Sequence, residues 1–146
     1  MENWVRITFL IHLCVTWAMI GAVWFVQFVH YPVYRFLQKK DFYTFQKHHI
    51  KQTKALAIPV MVVEAITGIL LLWGWGGSAL WAYAWINFFL LILIWVSSFH
   101  FCMKCHNQLS HEYSPHLILR LLHIHQVRTC FWTARGLLLF LVIFFY

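Results

Sequence analysis

The sequence predicts an all-α fold: a four-transmembrane-helix bundle with an interfacial helix between spans 1 and 2. Three observations predict it. The 146 residues are 62% hydrophobic and 10% charged, far from the balance of a soluble domain. The apolar residues form four continuous runs, each near the roughly 20 residues that a helix needs to cross a bilayer. The basic residues collect in the connections on one side of those runs. The runs are unbroken rather than alternating, and too long for barrel strands, so helices are the way these backbones satisfy their hydrogen bonds. By length, residues 1–146 make one integral membrane domain.

The first run extends from about Ile7 to Val29. It lacks a basic leader and a small-residue cleavage site, and it is too long for a signal h-region, so it reads as a retained span. Proline disfavours helix at the residue before it, so this helix should end or kink at Tyr31-Pro32. Residues 41–54 read as the interfacial helix, with Asp41 as its cap and Phe42, Phe45 and His49 on one face. The second run, Ala55 to Trp73, holds Pro59, which should kink the helix and free a backbone carbonyl. The string Trp73-Gly-Trp-Gly-Gly-Ser reads as a tight turn whose tryptophans anchor at the interface. The third run is Ala79 to Phe101. Ser114 then caps a helix with Pro115 at its first position. From there to Tyr146 is roughly 45 Å at 1.5 Å per residue. A hydrocarbon core is about 30 Å, so only the last part, Thr129 to Tyr146, should be the fourth span.

Charge sets the expected orientation. Arg35, Lys39, Lys40, Lys47, Lys51 and Lys54 lie between spans one and two, and Lys104, Arg120 and Arg128 between three and four. The far side offers Arg6 alone. Basic connections stay in the cytoplasm, so both termini should face outward, in a bacterial inner membrane. The net charge of +7 is therefore topological and calls for membrane lipids, not nucleic acid, as partner. The four cysteines do not read as a disulfide framework, since Cys102 and Cys105 fall at the reducing end.

Nine of ten histidines sit where apolar runs end; His12 lies apart inside the first. Imidazole serves as metal ligand, haem ligand or proton carrier. Helical spacing sorts the polar residues into stripes: Gln27 and His30; Glu64 and Thr67; Ser98, Cys102, Cys105 and His106; His125, Arg128, Trp132 and Arg135. Four such stripes at similar depth describe one pocket open to the cytoplasmic side. Glu64 and Arg135 are the ionisable residues within the hydrocarbon, at matching depth, and a pair between them is expected. His30, Glu64, His106, Arg128 and Arg135 are the candidate catalytic residues, with Gln27 orienting His30, and Gln27 and His125 as candidate cofactor contacts. His48, His49, His111 and His116 read as solvated.

Cys102-Met-Lys-Cys105-His106 matches the c-type haem attachment pattern. That attachment is made on the outer side of the membrane, whereas charge places this string inside. A carboxylate-bridged di-iron centre lacks its Glu-x-x-His pairs here. A mononuclear metal ion or a b-type haem held by His30 and His106 fits the residues better.

The segments His106-Asn-Gln-Leu109, Gln126-Val-Arg128-Thr129 and Trp132-Thr-Ala-Arg135-Gly136 resemble the closing half of a family of small four-helix membrane proteins grouped with the fungal anthrone oxygenases. Gln27-Phe-Val-His30-Tyr-Pro32 and Pro59-x-Met61-x-x-Glu64 resemble the opening half of bacterial members. The resemblance implies marked positions at His30, Glu64, His106, Arg128 and Arg135. It also implies oxygenation of an aromatic substrate, a reaction thought to need no metal in that family. The chain departs from the pattern in Cys102/Cys105 and in His123 and His125. Three functions stay open: an oxygenase or oxidoreductase acting on a lipophilic aromatic or quinone-like molecule held between Trp24, Trp95 and Trp132; a histidine-ligated haem or metal protein; and a non-catalytic accessory subunit or small transporter.

Overall fold

A computed structural model describes residues 2–145. It is all-helical, with no strand among those residues. Helix α1 (Asn3–Phe25) runs on through a π turn (Val26–His30) and a 3-10 turn (Tyr31–Arg35). Helix α2 spans Lys39–Gly74, α3 spans Trp81–Val96, and a π turn (Ser97–Cys102) joins α3 to α4 (Met103–Leu109). Helix α5 (Pro115–Val142) closes the chain with a 3-10 turn (Ile143–Phe145). Tyr146, the expected last residue of the fourth span, lies outside the described residues.

Three helical stretches are long and apolar enough to cross a bilayer: Asn3–Tyr34, Lys39–Gly74 and Trp81–Leu109, with mean hydropathies of 2.0, 2.4 and 2.0. Their outward side chains are apolar (Ile7, Phe25, Ile66, Ile69, Ile86 and Phe89 are all exposed) while much of what they bury is polar. A soluble bundle sorts the two the other way round. These helices are therefore compatible with an integral membrane protein.

Three sequence expectations are corrected here. Pro32 does not end the first helix; the chain tightens from π to 3-10 geometry and leaves helix only after Arg35. Residues 41–54 are not set off from the second span, because α2 is unbroken from Lys39 to Gly74. Asp41 is not its cap: Gln38 occupies that position, and Asp41 sits in the first turn, where its charge meets the positive end of the helix dipole. The α5 start is as its sequence suggests. Ser114 Oγ accepts from Leu117 N at 3.5 Å, with Pro115 in the first turn, where no amide hydrogen is needed.

Each long helix buries a stripe with steps of three and four residues, which is the spacing that keeps one face on a bundle axis. In α1 the stripe is Val5, Phe9, His12, Thr16, Met19 and Val23. In α2 it includes Met61, Glu64, Thr67 and Leu71, and in α5 Leu121, His125, Thr129, Trp132, Arg135, Leu139 and Val142. Antiparallel neighbours align these stripes into layers. Val5, Phe9, Leu71, Trp75, Ala84, Leu139 and Val142 form an apolar layer at the end where the chain starts. A fully buried polar layer follows. Met19, Ile20, Val23, Met61, Ile94 and Trp132 form a second apolar layer. Beyond it lies a histidine-rich layer, closed by Tyr31, Tyr34, Phe42, Cys102, Cys105, Leu109 and Leu121.

Candidate functional site

The sequence expectation of a single pocket is not met: the polar residues divide between two layers, with Met19, Val23, Met61 and Trp132 packed between them.

The deep layer holds Glu64 and Arg135, which form the expected pair at 3.1 Å with both side chains fully buried. Thr16 Oγ1 donates to the same Glu64 oxygen at 2.8 Å. Arg135 Nε and Nη2 donate to Asn87 Oδ1 at 3.3 and 3.2 Å. His12 lies between Thr67 Oγ1, 2.6 Å from its Nδ1, and Asn87 Oδ1, 3.2 Å from its Nε2. The Arg135 guanidinium carbon sits 4.8 Å from the Trp132 ring centroid, a cation–π contact. Most of these charges and dipoles are answered by another, while Glu64 Oε2 and Trp132 Nε1 are buried without a partner. His12, Thr16 and Asn87 were not picked out by sequence reasoning. The signal was available, since His12 and Thr16 interrupt the apolar stripe of α1 at stripe positions.

The second layer surrounds a cavity of about 140 Å³. Tyr31, His49, Cys102, His106, His125 and Arg128 supply its polar and aromatic wall; Met19, Val23, Ala57 and Met61 supply its floor. His49, expected to be solvated, is buried, because α2 turns that face onto the bundle. Its ring stacks on His30 at 4.1 Å between centroids and lies 5.4 Å from His106. His30 itself stands behind His49, against Phe45 at 5.0 Å, and is not in the cavity wall. With His49 between them, His30 and His106 do not face each other across a common ligand position. Among the described residues no three His, Cys, Asp or Glu side chains group to hold a metal ion. Cys105 is packed into the apolar core beside Tyr31 and Leu109, so the Cys102/Cys105 pair does not present both sulfurs to the cavity.

Two π turns, Val26–His30 and Ser97–Cys102, flank this layer. A π turn inserts an extra residue and rotates the next side chains, and such turns recur at functional sites. The rotation takes Gln27 away from His30, its expected partner. Gln27 Oε1 instead accepts from His125 Nδ1 at 2.8 Å. Gln46 Nε2 donates to His106 Nδ1 at 2.8 Å, and Tyr34 fixes that amide by donating to Gln46 Oε1 at 2.7 Å. The two imidazoles are thereby held in opposite tautomers. His125 keeps its lone pair on Nε2, and His106 keeps its hydrogen there.

Burial is the main cause that pushes His125 down to about 3, and Arg128 adds to the effect, so its imidazole is neutral near pH 7. Besides the exposed Lys54, Arg128 is the cation of this cavity wall. It donates from Nη1 to Cys102 Sγ at 3.4 Å, and its buried Nε has no partner. Among the described residues it has no carboxylate partner.

The tryptophans expected to clamp a substrate do not line the cavity. Trp24 is on the outside, stacked on Phe28 at 5.1 Å; Trp95 packs near Phe99; Trp132 belongs to the layer below. The chain matches no family model, and comparison with curated proteins and with solved structures gives no match.

Proposed function

We propose that this chain is a four-span protein of a bacterial inner membrane that takes a lipophilic aromatic or quinone-like molecule into the histidine-rich cavity, binds its anionic form, and so prepares it for oxidation. Helix α5 is the fourth span, since its final turns expose Leu137, Phe140 and Leu141. The first turns of α2 lie at the interface. The basic connections put both termini outside and the cavity at the cytoplasmic end.

The observation that carries this reading is Arg128. A guanidinium with a buried, unpartnered Nε beside a cavity is a donor set short of an acceptor. No fixed carboxylate answers it, so the complementary group is an oxyanion on a ligand. The ligand binds as its anion, its proton left to solvent, and Arg128 pairs with the oxygen. His106 Nε2–H supplies a second donor. An electron-rich phenolate or enolate is the form of an aromatic ring that gives up electrons, which agrees with the resemblance to the anthrone-oxygenase group.

The test uses 4-nitrophenol, whose ionised form is yellow, added to the purified protein in lipid nanodiscs at a pH below the free phenol's pKa. The protein should enrich the yellow phenolate, and R128Q should abolish the enrichment while keeping its helix content. An unchanged spectrum with the wild-type protein would overturn the proposal.

A further inference from the structure

The cavity has a volume and a mouth that define its occupant more closely. Its roughly 140 Å³ is close to the apolar cavities of about 150 Å³ that hold one benzene ring, so one six-membered ring fills it and anything more must extend out of its open side.

The mouth is on the flank of the bundle. The wall residues that are also exposed on the outside are Leu56 (62%), Ile58 (42%) and Phe99 (49%), with Thr53 and Lys54 beside them. Leu56 and Ile58 belong to α2 and Phe99 to the π turn after α3, so the gap lies between those two elements. In a membrane-spanning bundle such a gap faces acyl chains. Three exposed apolar side chains continuous with the cavity wall make a path for a chain that leaves the ring and runs out into lipid. The polar wall, with Arg128, His106 and His125, lines the same cavity.

Resting on the function proposed above, we infer that the ligand is a single-ring phenol or quinol carrying an apolar chain, with its ring in the cavity against Arg128 and His125 and its chain leaving through the α2–α3 gap past Leu56, Ile58 and Phe99. The ring supplies the acidic oxygen. The chain supplies retention, because its methylenes pass from protein to bilayer without meeting water.

The experiment uses a 4-alkylphenol with a diazirine in mid-chain, photolysed with the wild-type protein in nanodiscs and mapped by mass spectrometry. Adducts should concentrate on Leu56, Ile58 and Phe99, and excess unlabelled phenol should remove at least 80–90% of them, roughly the tenfold loss of one competed site. Leu56→Trp, at the mouth, should lose the adducts on Ile58 and Phe99 while phenol still protects Cys102 from alkylation. Adducts spread over the lipid face, or indifferent to phenol, would overturn the chain path and leave the phenolate site standing. Anthrone competing as well as phenol would overturn the single-ring limit. If phenol fails to protect Cys102 in the wild-type protein, the proposed function itself fails.

Discussion

The two polar layers use the same residue types to opposite ends. In the deep layer Arg135 is met by Glu64 and Asn87, and Thr16 donates to the same carboxylate. In the upper layer Arg128 is met by a cysteine sulfur and keeps a buried donor unused. A buried cation costs several kcal/mol of hydration unless the protein replaces it. The deep layer makes that replacement for Arg135 from its own side chains, although Glu64 Oε2 stays without a partner. The upper layer leaves it incomplete and keeps a cavity beside it. The first arrangement suits a fixed helix register; the second suits the ligand proposed above.

Breaking the deep layer should have the largest effect. Arg135→Leu leaves Glu64 buried and unpaired and should cost about 3–5 kcal/mol, measured as unfolding in detergent. Replacing both partners, Glu64→Leu with Arg135→Leu, should cost clearly less than the two single changes added together, because no lone charge remains. Additive losses would mean that the pair does not act as a unit.

The same test in the upper layer should separate binding from folding. Arg128→Gln should change stability by less than about 1 kcal/mol, since the group is only half-buried and makes one weak contact. Its loss should weaken phenolate binding by roughly 10–100-fold, the size of a hydrogen bond to a charged group. Comparable damage to both properties would erase the distinction between the layers.

Acid should act on the upper layer first. His125 holds its proton less readily in the fold than the ordinary 6.5 of a free imidazole. Between about pH 6.5 and 3 the unfolded chain binds more protons than the folded one. Stability is thus complete above 6.5 and falls as pH drops. The melting temperature in detergent should decline over that window, and a flat profile would show that this imidazole is not held neutral.

The helical class and the Glu64–Arg135 pair were legible in the sequence for simple reasons. Continuous apolar runs admit few other folds, and an ionisable group in such a run needs a partner at its own depth. His30 and His106 were legible as polar-end residues but not as a pair kept apart by His49. What the sequence hid was rotation. Two π turns shift the facing residues of α1 and α3, sending Gln27 to His125 instead of His30. No spacing rule that assumes 3.6 residues per turn anticipates that shift. The single pocket dissolved for a related reason: a stripe shows which face a residue occupies, whereas the Met19, Met61 and Trp132 layer that divides the stripes appears only once four helices are packed.

His48 and His49 give the smallest and sharpest comparison, because they are sequence neighbours with the same side chain. Successive helical positions differ by about 100°, so at most one of them faces the bundle. His49 is buried, stacked on His30 and set in the cavity wall; His48 is exposed. His48→Ala should therefore shift stability by no more than about 0.5 kcal/mol, as surface changes usually do. His49→Ala removes a buried ring and should cost about 1–3 kcal/mol. Equal responses from the two variants would mean that the first turns of α2 do not present His49 to the cavity, and with that the histidine-rich wall would lose its link to the second helix.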